Sequence, residues 1–572
     1  MKGNYKENEI INRFFWLILL VVAGLTLFPG LADLPIIDRD EPRFAHATVE
    51  MMDRNEWAVP YFNDEYRFDK PPLTYWWMRL HFWLGGVNEW AARLHSTLAS
   101  YFVSLVIFSF AVRLTKDSWS SLLGAAAWLG SLQVMVHSRL AVADMPMVFF
   151  LTLGMWALWE MLHSNTRQWG VWYWVFWLSM GLGFLAKGPI VLFVVILAGL
   201  IHTAWVLKSK GEWVEWHHIQ PLSGSLITLV IVALWGIPAQ IATDWMYGQE
   251  GIGTHVIERG TKAFNGRVNL PFVYYFVSIM LSLLPWASLL PSVLFKQDVQ
   301  ALSKQRSGDP QLSFFFGWFL APMLIFAFYA TQLPHYVMPG FPAYFILIAL
   351  LPWDHLTTPQ GKKSPLRFIF SFPPVFLSSL VGGILIFGSF LFPQAGDVAL
   401  LGRGVFWLGV VISSLSVGSL ALLWYNRFFA VFATLVAGVC FGYASYYLGQ
   451  AHVTPKIIAD LDLEGKKLYA IGYEEPSLVW YSDAIWDMNK NLDQIPLNSD
   501  DIVVIELKRW KVEGNGAELL RMIQAGESPI EEQFDQADEI LPKLYAHGRQ
   551  VKVVQGWNTA QSSWTEVAVS YR

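Results

Sequence analysis

The stretch DRDEPRFAHATVEMM, Asp38–Met52, begins a few residues after the first strongly apolar run of the chain ends, and YRFDKPPLTYWW, Tyr66–Trp77, follows it. Asp38, Arg39, Asp40 and Glu41 set four consecutive charges against a membrane-like segment, and Asp69-Lys70 precede a double proline. Ionisable groups so close to a bilayer need water, a partner or a ligand. Which of these applies depends on what the rest of the chain is.

Soluble domains average about 25% charged residues. This chain of 572 residues has 15%, with 54% hydrophobic and 16% aromatic. Its mean hydropathy is +0.38. That composition reads as a polytopic membrane protein. The 29 Trp and 21 Tyr suit the membrane–water boundary. Cys440 is the single cysteine, so no disulfide forms within the chain. The first apolar run is longer than the core of a cleaved signal peptide, and further apolar runs follow, so a retained signal anchor is expected.

A bilayer core of about 30 Å takes about 20 apolar residues per helix. Such runs predict about 13 transmembrane helices, near 14–34, 91–113, 119–137, 143–162, 171–186, 188–207, 222–243, 270–295, 313–330, 335–352, 367–392, 402–424 and 427–448. With the N-terminus cytoplasmic, every inner segment carries Lys or Arg, as the positive-inside rule requires. Examples are Lys2 and Lys6, Arg113 and Lys116, Lys208 and Lys210, and Lys362 and Lys363. The unusual charged stretches then share the outer face: loop 35–90, SRLAVADMP (138–146), the Lys187 turn, loop 244–269 and TQLPHY (331–336). An odd number of spans puts the C-terminus outside. From about 451 the composition changes, with 12 Lys+Arg against 20 Asp+Glu, a net of −8, while the rest carries +3. KKLYAIGY, DIVVIEL and VKVVQG read as short buried strands. Residues 451–572 are expected to form a small soluble α/β domain, and 1–450 the membrane domain.

Within loop 35–90, EPRFAHATVEMMDR has the spacing of an amphipathic helix lying in the interface. Pro42 suits its first turn. Asp40 is then either an N-cap or a presented carboxylate. Lys70 is either a snorkelling lysine or one held out by Pro71 and Pro72. Arg139 and Asp144 mark the outer boundary of the third and fourth spans, as edge charges or as site residues. Lys187, beside the helix breakers Gly188 and Pro189, suggests an anion site at a helix N-terminus. Loop 244–269 offers His255, Glu258, Arg259, Lys262 and Arg267, as a solvated loop or as site residues. His335 and Tyr336 stand beside prolines at the mouth of a span. GLGFLAKG has glycines at roughly nucleotide-fingerprint spacing but lies in an apolar run with no strand before it, so a dinucleotide fold is rejected. The aromatic residues are membrane packing, and no nucleic-acid partner is expected.

DEPRFA, FDKPPLTYWW, EWAARLHS, RLAVADMP, LAKGPI and LPHYVMPGFPA occur in one order. The set resembles the membrane GT-C glycosyltransferases of the aminoarabinose lipid A transferase type, relatives of the protein O-mannosyltransferases. The resemblance runs from about residue 14 to 450. It implies an inverting transferase of the bacterial inner membrane, with a periplasmic C-terminal domain. Such an enzyme takes a pentosyl or hexosyl group from a polyprenyl (undecaprenyl) phosphate carrier and passes it to a lipid or glycan acceptor, as in transfer of 4-amino-4-deoxy-L-arabinose to lipid A. Asp40 matches the family's essential acidic residue. Arg43, Lys70, Asp144, Lys187, His255 and Arg259 match other polar cavity positions. Asp40, Asp144 and Lys70 are the implied catalytic set. Glu41, Arg43, Arg139, Lys187, His255, Arg259, His335 and Tyr336 are the candidate substrate-binding set. Asp69 stands where the family has Glu, and with His255 is a candidate holder of a divalent cation (Zn or Mg), although no cofactor is required. A monomer is expected. The family often reads DEGRYAE where this chain reads DEPRFAH, which leaves the acceptor open. A protein O-mannosyltransferase-like enzyme, another cell-envelope glycan transferase, a lipid-linked sugar transporter and a scaffold remain alternatives. A transporter predicts ionisable residues near the midplane and an inverted repeat.

Overall fold

The computed structural model describes residues 2–163, 169–258, 261–262, 270–290, 293, 309–351, 365–390, 392, 397–423, 426–512 and 530–572. Among them, eight helices are long and apolar enough to cross a membrane: Glu89–Thr115, Asp144–His163, Ile190–Lys210, the run Trp216–Ala242, Gln311–Phe328, Phe372–Ser389, Val398–Leu422 and Arg427–Ala451. Phe14–Leu27, Pro271–Ser282 and Pro334–Leu350 are shorter apolar helices. The chain is an integral membrane protein.

The elements that frame the site are α1 (Lys2–Leu27), α2 (Asp40–Asp53), α3 (Leu73–Gly85), α4 (Glu89–Thr115), α5 (Ser118–Leu129), α6 (Leu132–His137), α7 (Asp144–His163), α8 (Val171–Lys187) and α9 (Ile190–Lys210). The apolar run 119–137 is two helices, α5 and α6, parted at Gly130-Ser131. There the Leu132 amide turns aside to donate to the carbonyl of Leu284 at 2.9 Å. A side chain at Gly130 would meet Thr434 at 2.7 Å, so glycine there lets the helix Arg427–Ala451 pack close against the break. The runs on either side of AKGP are separate helices. Gly188 takes φ +87° after α8, a conformation that suits glycine. Lys187 therefore ends α8, and α9 begins three residues later at Ile190, so the lysine stands between one helix's C-terminus and the next helix's N-terminus.

The helix expected over the first loop forms as α2, with Asp40 and Glu41 in its first turn. Arg39 is the N-cap residue and no side chain caps the helix. The N-cap reading of Asp40 does not hold. Nor does α2 lie open along an interface. Phe44, Ala45, Ala47, Val49 and Met51 pack with Tyr75, Met78 and Phe82 of α3, with Ala91 and Ala92 of α4, and with Trp480 of the C-terminal region. A two-residue hairpin follows, β1 (Tyr61–Phe62) and β2 (Glu65–Tyr66), turning through Asn63 and Asp64, both with positive φ, as such tight turns require.

After the helix Arg427–Ala451, six strands among the described residues form one mixed sheet: β3 (Leu468–Ile471), β4 (Trp486–Asp487), β5 (Ile502–Val512), β6 (Ile530–Asp535), β7 (Gln550–Asn558) and β8 (Ser563–Tyr571). The order is β4-β3-β5-β8-β7, with β6 paired to β5. β3 runs parallel to β4 and β5, and the other pairs are antiparallel. Both faces are covered. Val504, Val567 and Val569 pack under Val453, Ile457 and Leu478. Val503, Ile505 and Ala568 pack under Ile540 and Leu544. Phe62 of the hairpin packs on both the α2 cluster and this domain, so the domain sits on the loop 35–90 side of the helices.

Candidate active site

Charged groups on helix ends meet only if several helices stop at one level. Here the start of α7, the end of α8 and the start of α9 converge with segments 37–41 and 69–70 and with 325–339 around one cavity of about 500 Å³. Its polar wall includes Asp38, Asp40, Glu41, Asp69, Lys70, His137, Asp144, Lys187, His335 and Tyr336. Its apolar wall includes Ile190, Phe193, Ile325 and Phe326. Phe193 is 50% exposed on the outside of the helix bundle.

The acidic groups differ in what they are already doing. The Glu41 carboxylate receives Arg93 Nε at 2.9 Å and Nη2 at 2.8 Å, the Ile37 amide at 2.8 Å and the Ala141 amide at 2.6 Å. It is 2% exposed and Arg93 is 0%. Glu41 was expected to bind substrate; it is corrected to an anchor, because its acceptor sites are committed inside the protein. Asp38 accepts from the Ser477 amide at 2.8 Å and the Ser477 hydroxyl at 2.7 Å. Burial pushes its carboxyl up to about 7, against the pull of those hydrogen bonds. Asp40, two residues on, is exposed to the cavity. Among the described residues it has no hydrogen-bond or ion-pair partner. Asp40 thus hangs between two fixed neighbours.

The basic groups are held by short contacts. Lys70 Nζ lies 2.8 Å from Asp69 Oδ1 and donates to the Asp69 carbonyl at 2.9 Å. The Tyr247 hydroxyl fixes the Lys70 carbonyl at 2.6 Å. Arg67 takes the other Asp69 oxygen at 3.0 Å. Asp69 therefore has a cation on each oxygen, which does not suit the expected metal role. The side chain of His255, its proposed co-ligand, lies outside the described residues, as does Arg259. Arg43 is half-buried beside the cavity wall and does not line it. Burial lowers its pKa, and Arg67 adds to that, with Asp40 and Asp69 opposing.

Opposite, Lys187 Nζ sits 2.5 Å from Asp144 Oδ1 and 5.7 Å from the centre of the Tyr336 ring. His335 Nε2 is 3.8 Å from the same Asp144 oxygen. The His137 ring lies 4.9 Å from that of His335. Gln133 Nε2 is 2.6 Å from His137 Nδ1, and Ser282 holds the Gln133 carbonyl oxygen at 2.9 Å. His137, Asp144 and His335 bring one ligand atom each within 4.8 Å of one another, an arrangement that suits a divalent ion. The Lys187 ammonium already supplies the positive charge at the carboxylate.

Arg139, expected with Asp144, does not line the cavity. Its guanidinium donates to the carbonyls of Pro29 at 2.9 Å, Met135 at 2.6 Å and Thr26 at 2.7 Å. It ties α6 to the end of α1, and it is corrected to a structural group. Phe44 lines the cavity, while His46 turns towards Asp483 at 3.8 Å. His137 and Asp38 were missed. His137 is one histidine at the end of an apolar run, with no local signal. Asp38 stood in the charged cluster beside the more conspicuous Asp40.

Residues 37–249 match the model of the dolichyl-phosphate-mannose-protein mannosyltransferase family. An undecaprenyl phosphate-alpha-4-amino-4-deoxy-L-arabinose arabinosyl transferase of Sodalis glossinidius is 29% identical over 313 residues, 54% of either chain. The chain spans about half the length of this relative and of its counterpart in Erwinia tasmaniensis. Over 97% of both chains the fold is similar, with a TM-score of 0.67 and 18% identity, to ArnT from Cupriavidus metallidurans bound to undecaprenyl phosphate. The archaeal oligosaccharyltransferase AglB of Archaeoglobus fulgidus matches at 0.50 with 9% identity, over 87% of this chain and 70% of that one. Residues 37–249, which carry Asp40, Lys70, Asp144 and Lys187, thus match the model of the dolichyl-phosphate-mannose-protein mannosyltransferase family, within a membrane fold similar to that of ArnT.

Proposed function

We propose that this chain is a glycosyltransferase that takes a sugar from a polyprenyl phosphate carrier and passes it to an acceptor at the periplasmic face of the bacterial inner membrane. The N-terminus is then cytoplasmic and the C-terminal domain periplasmic. The reaction is most like transfer of 4-amino-4-deoxy-L-arabinose to lipid A. The observation that carries this reading is the single cavity with Lys70 and Lys187 on its polar wall, Asp40 unpartnered among the described residues, and an apolar side at Phe193 and Ile325. A phosphate bound near both lysines places its isoprenoid tail along the apolar side.

In the reaction the bond between the anomeric carbon and the carrier phosphate breaks, and negative charge grows on the departing phosphate. Ammonium groups aimed at that charge lower the barrier in a site shielded from water. Lys187 and Lys70 take this role, with Asp144 and Asp69 holding them in place. Asp40 faces the acceptor. It removes the proton from an acceptor hydroxyl, or orients an acceptor that is already anionic. Attack opposite the leaving phosphate in a single displacement inverts the anomeric centre. Transport is disfavoured by position. Asp144 starts a helix, Lys187 ends one and His335 stands at the start of Pro334–Leu350, so the ionisable groups of the cavity gather at helix ends and not at midspan.

Mass spectrometry of lipid extracts from cells with and without the gene tests this. A sugar-sized mass difference on lipid A or another envelope glycan is expected. A difference confined to protein O-glycans would favour the mannosyltransferase-like reading, and no difference in any glycan would contradict transfer.

A further inference from the structure

The sheet domain has contacts that lead directly to the cavity. The Ser477 amide and hydroxyl both donate to Asp38, two residues before Asp40. The Ser477 hydroxyl is itself 2.8 Å from Thr454 Oγ1, which is 2.6 Å from the Tyr473 hydroxyl. Thr454 lies three residues after the end of the last membrane-spanning helix. Two further contacts flank this one. The Ile36 amide donates to the Tyr481 hydroxyl at 3.1 Å. Asn63 exchanges two hydrogen bonds of 2.8 Å with the backbone of Trp486. Trp480 stacks on Phe82 at 6.1 Å beneath α2. On the other side of Asp40, Glu41 is locked to Arg93.

We propose that the C-terminal domain is part of the catalytic machinery, and that Ser477 is a positioning residue which, through Asp38, holds Asp40 at the acceptor side of the cavity. The inference rests on the transferase reading. Only Arg39 and Asp40 lie between the anchored Asp38 and Glu41, so Asp40 has few ways to move, and loosening one anchor frees its carboxylate from its attack geometry. Both Ser477 donors are used only when Asp38 is ionised, so the clamp is complete only above the pKa of Asp38. Glu475 and Tyr473 from the domain and Arg43 from α2 are the other titratable groups facing that carboxyl.

The test uses the full-length protein in vesicles with a polyprenyl-phosphate sugar donor, comparing wild type, S477A, S477T and D38N. The expected result for S477A is a kcat about 10-fold lower or more, with the donor KM within about twofold, because the donor phosphate does not touch the clamp. S477T recovers most of the rate, since its hydroxyl and amide both still donate. In wild type kcat rises with pH through an ionisation near neutrality, and in D38N that step is gone. Amide hydrogen exchange is run in parallel on the same proteins and does not depend on turnover. It should speed up several-fold over residues 36–44 in S477A and stay unchanged in the membrane helices. Unchanged exchange over 36–44, or a wild-type kcat and pH profile in S477A, would overturn the clamp. A wild-type protein that shows clamp-dependent exchange but turns over no polyprenyl-linked sugar would overturn the transferase reading alone.

Discussion

Asp144 and Lys187 form an ion pair in the cavity wall to which the proposed reaction gives a second role. Their 2.5 Å contact lies in a wall where the Asp144 side chain is 10% exposed and the Lys187 side chain 16%. Removing one member of such a pair strands the other, at a cost of about 3–5 kcal/mol. K187A is expected to lower the thermal midpoint and to abolish transfer. Adding D144N to it should recover part of the midpoint and none of the transfer, as read by thermal unfolding and donor consumption. Asp38 gives a pH signature. Its folded pKa of about 7 lies above its ordinary value of 3.8, chiefly through burial. The folded protein therefore holds a proton that the unfolded chain has lost, and this contribution to stability is full below about pH 4 and lost as pH rises through 7. The midpoint of D38N minus that of wild type is expected to grow from pH 5 to pH 8, and a difference that stays constant would contradict the assignment. Charge in an apolar chain made Asp40, Lys70, Asp144 and Lys187 legible. Side-chain direction was not. Arg139 and Asp144 stand five residues apart and read alike, yet one turns to backbone carbonyls near the end of α1 and the other to the cavity.

At the scale of elements, the decisive device is the anchor on the first turn of α2. Glu41 accepts from Arg93 of α4 and from the Ala141 amide just before α7, while Arg93 also donates to the carbonyls of Leu31, Leu34 and Pro35. One ion pair thus joins the end of the first membrane segment, the charged loop and two further helices. E41Q keeps the shape and removes the charge. It is expected to cost about 3 kcal/mol, by the same stranding of a buried cation, seen as a lower yield of folded protein and a lower thermal midpoint with donor KM unchanged. The helix itself was legible from its spacing and its proline. Its surroundings were not, because Trp480 reaches it from more than 400 residues away in sequence. The break at Gly130-Ser131 was hidden for a similar reason. The glycine matters only because Thr434 packs against it.

For the whole molecule, hydropathy foretold a helical membrane body, the charged loops foretold polar segments that meet around one cavity, and the composition change near 451 foretold a separate sheet. What periodicity does not carry is the joining of the two, since the hydrogen bonds to Asp38, Ile36 and Asn63 are single contacts between distant segments. The central claim is that the charged loop and the helix ends form one site in which Asp40 acts on the acceptor while the lysines hold the carrier phosphate. It is tested most directly by comparing wild type and D40N in vesicles, following donor binding and sugar transfer in the same preparation. D40N should bind the polyprenyl-phosphate sugar as tightly as wild type and transfer it at least about 100-fold more slowly, the scale of losing a general base. A D40N protein that transfers at the wild-type rate would contradict the account.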